Sequence, residues 1–361
     1  MVQINVTKTF LPPIDEYQAY LKQIWQSNQV TNQGPLLLEF EAACRQYLDV
    51  TNFHMVSNGT IALQLALRAL DITEGEVITT AFSYVATVSA ILWERCRPVF
   101  VDIRKDNYCI DAEKIEAAIT SRTKAIMPVH VFGFACDVDR INAIANKHKL
   151  KVIYDGAHAF GARHNHRSLL AYGDISTCSF HATKPFHTIE GGAIITPDNA
   201  LGERVELIKR FGHNGNTHYM LGINAKASEF QAAMGLCNLK YIDGIIEDRR
   251  SVSALYGELL GDTVTKPDVP SDGRNYAYYP VLFQTEAQLL VALTAMEKQD
   301  IHPRRYFYPA LNTLPYIQID QQCPIAEDIS RRVLCLPFYG NLEKVDVEKI
   351  SRLVKVATGE S

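Results

Sequence analysis

One lysine stands where its amine could do chemistry. Lys184 lies in Ser176-Thr-Cys-Ser-Phe-His-Ala-Thr-Lys-Pro-Phe-His-Thr-Ile-Glu-Gly-Gly-Ala-Ile-Ile-Thr196. Residues 175–180 and 193–196 are apolar and β-prone, and they read as short buried strands with Gly191-Gly192 as the turn admitting the second. A lysine held against apolar walls loses solvation of its charged form, so its pKa falls and its amine becomes nucleophilic. That is the chemistry of a Schiff-base lysine. An arbitrary loop lysine is more often solvated, so the neighbours decide between the two readings.

Two other stretches offer complementary chemistry. Ser57-Asn-Gly-Thr60 precedes the nearly all-apolar run 61–70, long enough for a buried helix. Gly59 and Thr60 then occupy a helix N-terminus, where free N–H groups and the dipole favour a phosphate. The same residue types also cap helices that bind nothing. No Walker lysine follows, which excludes a P-loop. Asp155, in Val152-Ile-Tyr-Asp-Gly-Ala-His-Ala-Phe-Gly161, comes at the carboxyl end of a buried strand. An unpaired carboxylate there is costly, and a protonated pyridine nitrogen would be a suitable partner. Capping the next helix is the alternative use. Tyr84 is read at the end of a strand beside the phosphate motif, where its ring could stack on a flat cofactor or fill the core.

These groups need a sheet to converge on. Strands are expected at 77–81, 98–103, 125–131 and 152–154, separated by helices near 112–119 and 139–148. The βαβ rhythm implies a mostly parallel sheet covered on both faces, with ligands at the carboxyl ends of its strands. Before it come an extended segment at 6–13, a helix at 14–27 and the loop Thr31-Asn-Gln-Gly-Pro35 leading into a helix at 36–47. Arg249-Arg250 reads as the end of a long helix. Beyond it, 275–283 and 301–306 read as strands around a helix at 286–298, the pattern of a small α+β part. The expectation is a large domain over residues 1–250 and a small one over 251–361.

Ser179-Phe-His-Ala-Thr-Lys184 followed by Glu190-Gly191-Gly192 resembles the cofactor-lysine segment of the pyridoxal-phosphate (PLP) sugar-nucleotide aminotransferases of the DegT/StrS family. The resemblance runs from about Phe10 to near the C-terminus, through several motifs in the family's order. It implies the aspartate aminotransferase fold, an α/β large domain with a smaller C-terminal companion. It implies that Lys184 and Asp155 are the catalytic pair, with Asp155 keeping the pyridine nitrogen protonated, His158 beside the ring and Tyr84 stacked on it. Gly59, Thr60 and Ser179 would hold the phosphate. Asn224, in Gly222-Ile-Asn-Ala-Lys-Ala-Ser-Glu229, would reach the phosphate of the other subunit in a homodimer. Lys226 stands where the family commonly has arginine, which removes the fork needed for a bidentate contact. Arg304-Arg-Tyr-Phe-Tyr-Pro309 resembles the family's segment near the sugar nucleotide.

The implied reaction moves an amino group from L-glutamate to a nucleotide-linked keto sugar. The wording of 6–13 and 222–229 is nearest to members that aminate C4 of dTDP-4-keto-6-deoxy-D-glucose, a step toward O-antigen in lipopolysaccharide. Amination at C3 and a non-catalytic regulatory protein of the same fold are the alternatives. A sugar dehydratase of this fold would have histidine in place of Lys184.

Composition narrows the partners. A net charge of −4 argues against a basic nucleic-acid binder. Eight cysteines show no CxxC pair or metal-ligand spacing, which suits reduced thiols in a cytoplasmic protein. His158, His164 and His166 have no carboxylate or cysteine completing a ligand set, so no metal is expected. The N-terminus carries no secretion signal and no apolar run is long enough to cross a membrane, so neither is expected.

Overall fold

Seven strands form the central sheet of the computed structural model, which describes residues 3–317 and 319–360. They are β1 (Asn52–Val56), β2 (Glu76–Thr80), β3 (Arg97–Val101), β4 (Thr123–Ile126), β5 (Lys151–Asp155), β6 (Ile175–Ser179) and β7 (Gly192–Thr196). Their spatial order is β3-β2-β4-β5-β6-β7-β1. The pairs β3–β2, β2–β4, β4–β5 and β5–β6 are parallel, and β7 runs antiparallel to both its neighbours. A parallel return needs a crossover of a dozen or more residues, usually a helix. The segment between β6 and β7 carries Lys184 and no helix, so β7 comes back antiparallel. Gly192, expected in the turn, is the first residue of β7, and β1 is a strand that the polar-interrupted sequence Asn-Phe-His-Met-Val did not announce.

The helices are α1 (Ile14–Ser27), α2 (Pro35–Leu48), α3 (Gly59–Ala69), α4 (Val85–Trp93), α5 (Val138–His148), α6 (Asn199–Ile208), α7 (Glu229–Leu239), α8 (Ile242–Leu260), α9 (Glu286–Glu297), α10 (Pro324–Arg332) and α11 (Lys344–Thr358). One apolar layer, with Leu63, Leu67, Ile91 and Ile208, packs on Val77, Ile153 and Ile194 of the sheet. Another, with Phe40, Phe53, Phe160, Phe180 and Phe186, joins α2 to the strands that flank the lysine loop. The helix expected at 112–119 is a single α turn, Ala112–Ile115, followed by a 3-10 turn, Glu116–Ala118.

The C-terminal part has its own core, in which Tyr256, Phe283, Leu289, Leu336 and Val347 bring α8, α9 and α11 together. Two expectations fail here. Arg249 and Arg250 lie in the middle of α8, not at its end. Of the strands expected at 275–283 and 301–306, only Pro280–Leu282 and Ile301–His302 enter ladders. The extended run is broken at Tyr276, whose φ is +51°. Ile301–His302 pairs with Ile4–Asn5, so the chain's beginning is stitched to its C-terminal part. Residue 250 lies inside α8, and we propose that the large and small parts are joined through this helix.

The loop 31–35 acquires a physical reason. No side chain of its own caps α2 at Gly34. Instead the buried Glu229 accepts hydrogen bonds from the N–H groups of Leu36 and Leu37, both at 2.9 Å. A Cβ on residue 34 would lie 2.6 and 2.7 Å from the two carboxylate oxygens, so any larger residue would push the carboxylate off those N–H groups. Glu229→Ala strands two helix N–H groups and should lower stability by about 2–4 kcal/mol. A denaturation midpoint equal to that of the wild type would contradict this.

Candidate active site

The carboxyl ends of β5 and β6 and the N-terminus of α3 border one cavity of about 790 Å3. Gly59, Thr60, Tyr84, Asp155, His158, Ser179 and Lys184 all line it. Asn224 does not; it is exposed elsewhere, its Oδ1 accepting from Lys226 Nζ at 2.8 Å. Tyr84 is not at a strand end as expected. β2 stops at Thr80, and Tyr84 is the N-cap residue of α4, 59% exposed with its ring open to the cavity.

Lys184 is half-buried, and its Nζ donates to the Tyr278 hydroxyl at 3.2 Å. Among the described residues no carboxylate forms an ion pair with it. Surrounding protein desolvates the ammonium and pulls its pKa below the usual lysine value; Tyr306, Asp155, Cys178 and Tyr84 oppose that shift without cancelling it. The loop is fixed from several sides. Thr188 N–H donates to Phe180 O at 3.0 Å, and Gln231 Nε2 donates to Glu190 O at 2.7 Å. Phe186 stacks on Phe160 at 4.0 Å. Thr9 Oγ1 donates to Ala182 O at 2.9 Å, so the N-terminal segment also closes on this loop.

Asp155 is buried at the end of β5, with Oδ2 accepting from Thr87 Oγ1 at 2.7 Å and Oδ1 from Ala157 N–H at 3.1 Å. Burial raises its pKa, against the pull of those two donors and of Lys184. His158 is buried too, and its Nδ1 accepts from Phe132 N–H at 3.1 Å, which leaves Nε2 to carry the ring proton. Burial and then the Lys184 charge push its pKa well below the usual value, so the imidazole is neutral. It stacks on Phe307 at 5.8 Å and meets the edge of Tyr278 at 5.0 Å, forming an aromatic wall.

At α3, Asn58 Oδ1 accepts from Ile61 N–H at 2.9 Å, while the N–H groups of Gly59 and Thr60 have no acceptor among the described residues. A Cβ on Gly59 would lie 2.9 Å from Ser179 Cβ, so the glycine lets the strand end and helix end meet. Two free N–H groups and the hydroxyls of Thr60 and Ser179 thus make a cradle with the chemistry of a phosphate site. With an amine, a carboxylate that lacks a cation in contact and an exposed ring, the donor set fits PLP.

Arg304, Tyr306 and Phe307 of the segment 304–309 line the cavity as well, while Thr87 and Tyr278 were missed by sequence reasoning. Thr87 follows Tyr84 by three residues on α4, a spacing that places both near one helix end. No local signal marks Tyr278, 94 residues from Lys184. A larger cleft of about 930 Å3 lies between α5 and α6; Lys151 and Asp174 in its wall pair at 2.9 Å, and none of the sequence-predicted site residues lines it. Among the described residues no three His, Cys, Asp or Glu side chains gather as a metal site, and His164 lies on a surface hairpin with Arg167.

Comparison with known proteins gives one consistent answer. Residues 14–355 match the DegT/DnrJ/EryC1/StrS aminotransferase family. A Shigella dysenteriae protein named dTDP-4-amino-4,6-dideoxy-D-glucose transaminase is 40% identical, with 98% of each chain covered. The structure of DesI in the presence of its TDP-sugar product superposes with a TM-score of 0.94 at 30% identity, covering 99% of this chain and 93% of that one. NtdA from Bacillus subtilis, with the cofactor PMP bound, gives a TM-score of 0.87 at 28% identity, covering 96% and 82%.

Thr87 offers a direct test of the Asp155 environment. Its hydroxyl holds the Asp155 pKa down, so Thr87→Val should raise that pKa. The carboxylate would then protonate at higher pH, and the acid limb of the activity profile should move up by about one pH unit. An acid limb left in place would show that the ionised Asp155 is not required.

Proposed function

The chain belongs to the DegT/DnrJ/EryC1/StrS aminotransferase family, whose cofactor is PLP, and from that premise we propose that it aminates a nucleotide-linked keto sugar at the expense of L-glutamate. The substrate we favour is dTDP-4-keto-6-deoxy-D-glucose, giving dTDP-4-amino-4,6-dideoxy-D-glucose for O-antigen or other surface polysaccharide. The observation that carries this reading is the convergence of Asp155, from the end of β5, and Lys184, from the loop after the adjoining β6, in one cavity beside a phosphate cradle. A relative of that name, 40% identical over nearly the whole of both chains, supports the choice of sugar. Eight buried free thiols support a cytoplasmic location.

In this reading PLP, when bound, supplies a protonated ring that draws off the electron pair left on the donor carbon. The chain's own groups do the rest. Gly59, Thr60 and Ser179 would bind the phosphate, and Tyr84 and the neutral His158 would hold the ring. Asp155 holds the proton on the ring nitrogen. The depressed pKa of Lys184 would let its amine take a proton from the donor Cα and deliver it to C4′ of the cofactor. The Tyr278 hydroxyl receives that amine when it is not otherwise engaged.

Asn224 completes the site across a homodimer. Lys226 occupies its oxygen, and its amide N–H2 has no partner among the described residues. Phe211, Tyr219, Leu221 and Ile223 flank it in the same segment and expose large apolar surface, as a subunit interface would.

Incubation with L-glutamate and 4-keto and 3-keto sugars linked to dTDP, GDP or UDP tests the substrate. Amination of dTDP-4-keto-6-deoxy-D-glucose is expected, and turnover of only a 3-keto or differently linked sugar would overturn the assignment. Asp155→Asn keeps shape and loses charge. If that costs about 3–4 kcal/mol in the transition state, kcat and kcat/KM should fall together by roughly two to three powers of ten. Near wild-type single-turnover conversion with glutamate would mean Asp155 is only a cap. Mixed Lys184→Ala and Asn224→Ala subunits should recover about a quarter of wild-type activity, because half the dimers carry one intact site of two. No recovery would place Asn224 in its own subunit's fold instead.

A further inference from the structure

Arg249 is a buried charge that the chemistry above does not use. It lies in the middle of α8, 3% exposed, where helix surfaces bury apolar groups. Among the described residues no carboxylate pairs with it, and its Nε has no hydrogen-bond partner. A buried cation without a counterion is unfavourable unless it does something a neutral residue cannot. Its Nη1 donates to two backbone carbonyls, Tyr276 O at 3.1 Å and Ala277 O at 3.2 Å. The guanidinium also lies 5.3 Å from the Phe338 ring centroid.

Those carbonyls belong to a strap that leads to the reactive amine. At its start, the buried Asn275 donates through Nδ2 to His158 O at 2.6 Å and Phe160 O at 2.9 Å, both just beyond Asp155 in the chain. At Tyr276 the backbone takes a φ of +51°, a conformation that a tyrosine rarely adopts unless its surroundings hold it. At its end, Tyr278 brings its hydroxyl to Lys184 Nζ at 3.2 Å. Arg249 grips the strap at the left-handed residue, between the two contacts.

We propose that Arg249 is a positioning residue: by clamping the strap 275–278 it holds the Tyr278 hydroxyl against the Lys184 amine. The proposal rests on the aminotransferase reading only for the importance of that amine. Lys184 is faced by Tyr278, Tyr306, Asp155, Cys178, Tyr84 and His158, and of these only Tyr278 is hydrogen-bonded to it. A hydroxyl that accepts from an ammonium favours the protonated form more than it favours the free amine. The Arg249 charge also reaches Tyr278, opposing the rise that burial causes in the pKa of its hydroxyl.

The test reads Lys184 itself in the full chain before cofactor or sugar is added, so it is independent of which substrate the enzyme uses. Acetic anhydride labelling of Lys184 across pH, followed by peptide mass spectrometry, gives the titration midpoint of its amine. Tyr278→Phe should lower that midpoint by about one pH unit, a tenfold loss of proton affinity. Arg249→Lys keeps a cation but shortens the reach to the carbonyls, and it should move the midpoint the same way. The double variant should match Tyr278→Phe alone, because one residue acts through the other. An Arg249→Lys protein with a lowered melting temperature and an unchanged labelling midpoint would make Arg249 merely structural and overturn the proposal. Additive shifts in the double variant would overturn it as well. If Arg249→Lys does not fold, Arg249→Gln takes its place in the cycle. Failure of both to fold would mean that Arg249 serves the fold as a whole, and the assignment would fall.

Discussion

An amine in an apolar-walled cavity becomes reactive only while the walls withhold both water and counter-charge. Lys184 meets that condition with one hydroxyl at 3.2 Å and no carboxylate in contact among the described residues. Any slack in the loop would let the ammonium swing toward solvent or toward Asp155 and regain the stabilisation it lacks. The segment between β6 and β7 is accordingly held by the N-terminal segment at Thr9, by α7 at Gln231 and by the Phe160–Phe186 stack. The absence of a crossover helix there, and with it the reversal of β7, keeps the lysine on a short tether at the strand ends.

The same constraint explains why charged groups elsewhere are placed as they are. Glu229 neutralises the start of α2 and so fixes the start of α7, the helix whose Gln231 grips the lysine loop. A second buried cation, Lys209, is surrounded by Glu206 at 2.8 Å and Glu41 at 3.2 Å, and Glu206 in turn contacts His54 of β1. With Lys209 and His54 beside it, Glu206 stays ionised despite its burial, its pKa pulled down to about 2. Charges that serve the frame are thus paired. Arg249, by contrast, is 3% exposed with no acidic partner among the described residues, Lys184 has no carboxylate in contact, and both border the cavity or its strap.

Much of the site could be read from short strings because each such residue sits at the end of an element. Gly59 starts α3, Asp155 ends β5 and Ser179 ends β6, so local patterning locates them. Tyr84 was legible as a candidate but not in its place, since the strand before it ends four residues early. Residues that reach the site by tertiary contact were not legible. Thr87 meets Asp155 across 68 positions and Tyr278 meets Lys184 across 94. In the C-terminal part the alternation at 275–283 looked like a strand, because nothing in the residue types reveals that Arg249 takes two of its carbonyls. Arg249 itself was read at a helix end, where a cation complements the dipole, and no local pattern marks an arginine buried in mid-helix.

The central claim is that Lys184 is the amine that carries PLP, and it can be tested by covalent trapping. Borohydride reduction of the PLP-loaded protein, followed by proteolysis and mass spectrometry, should place one pyridoxyl group on the peptide containing Lys184. A pyridoxyl group on another lysine, or none on a protein shown to bind the cofactor, would contradict the account.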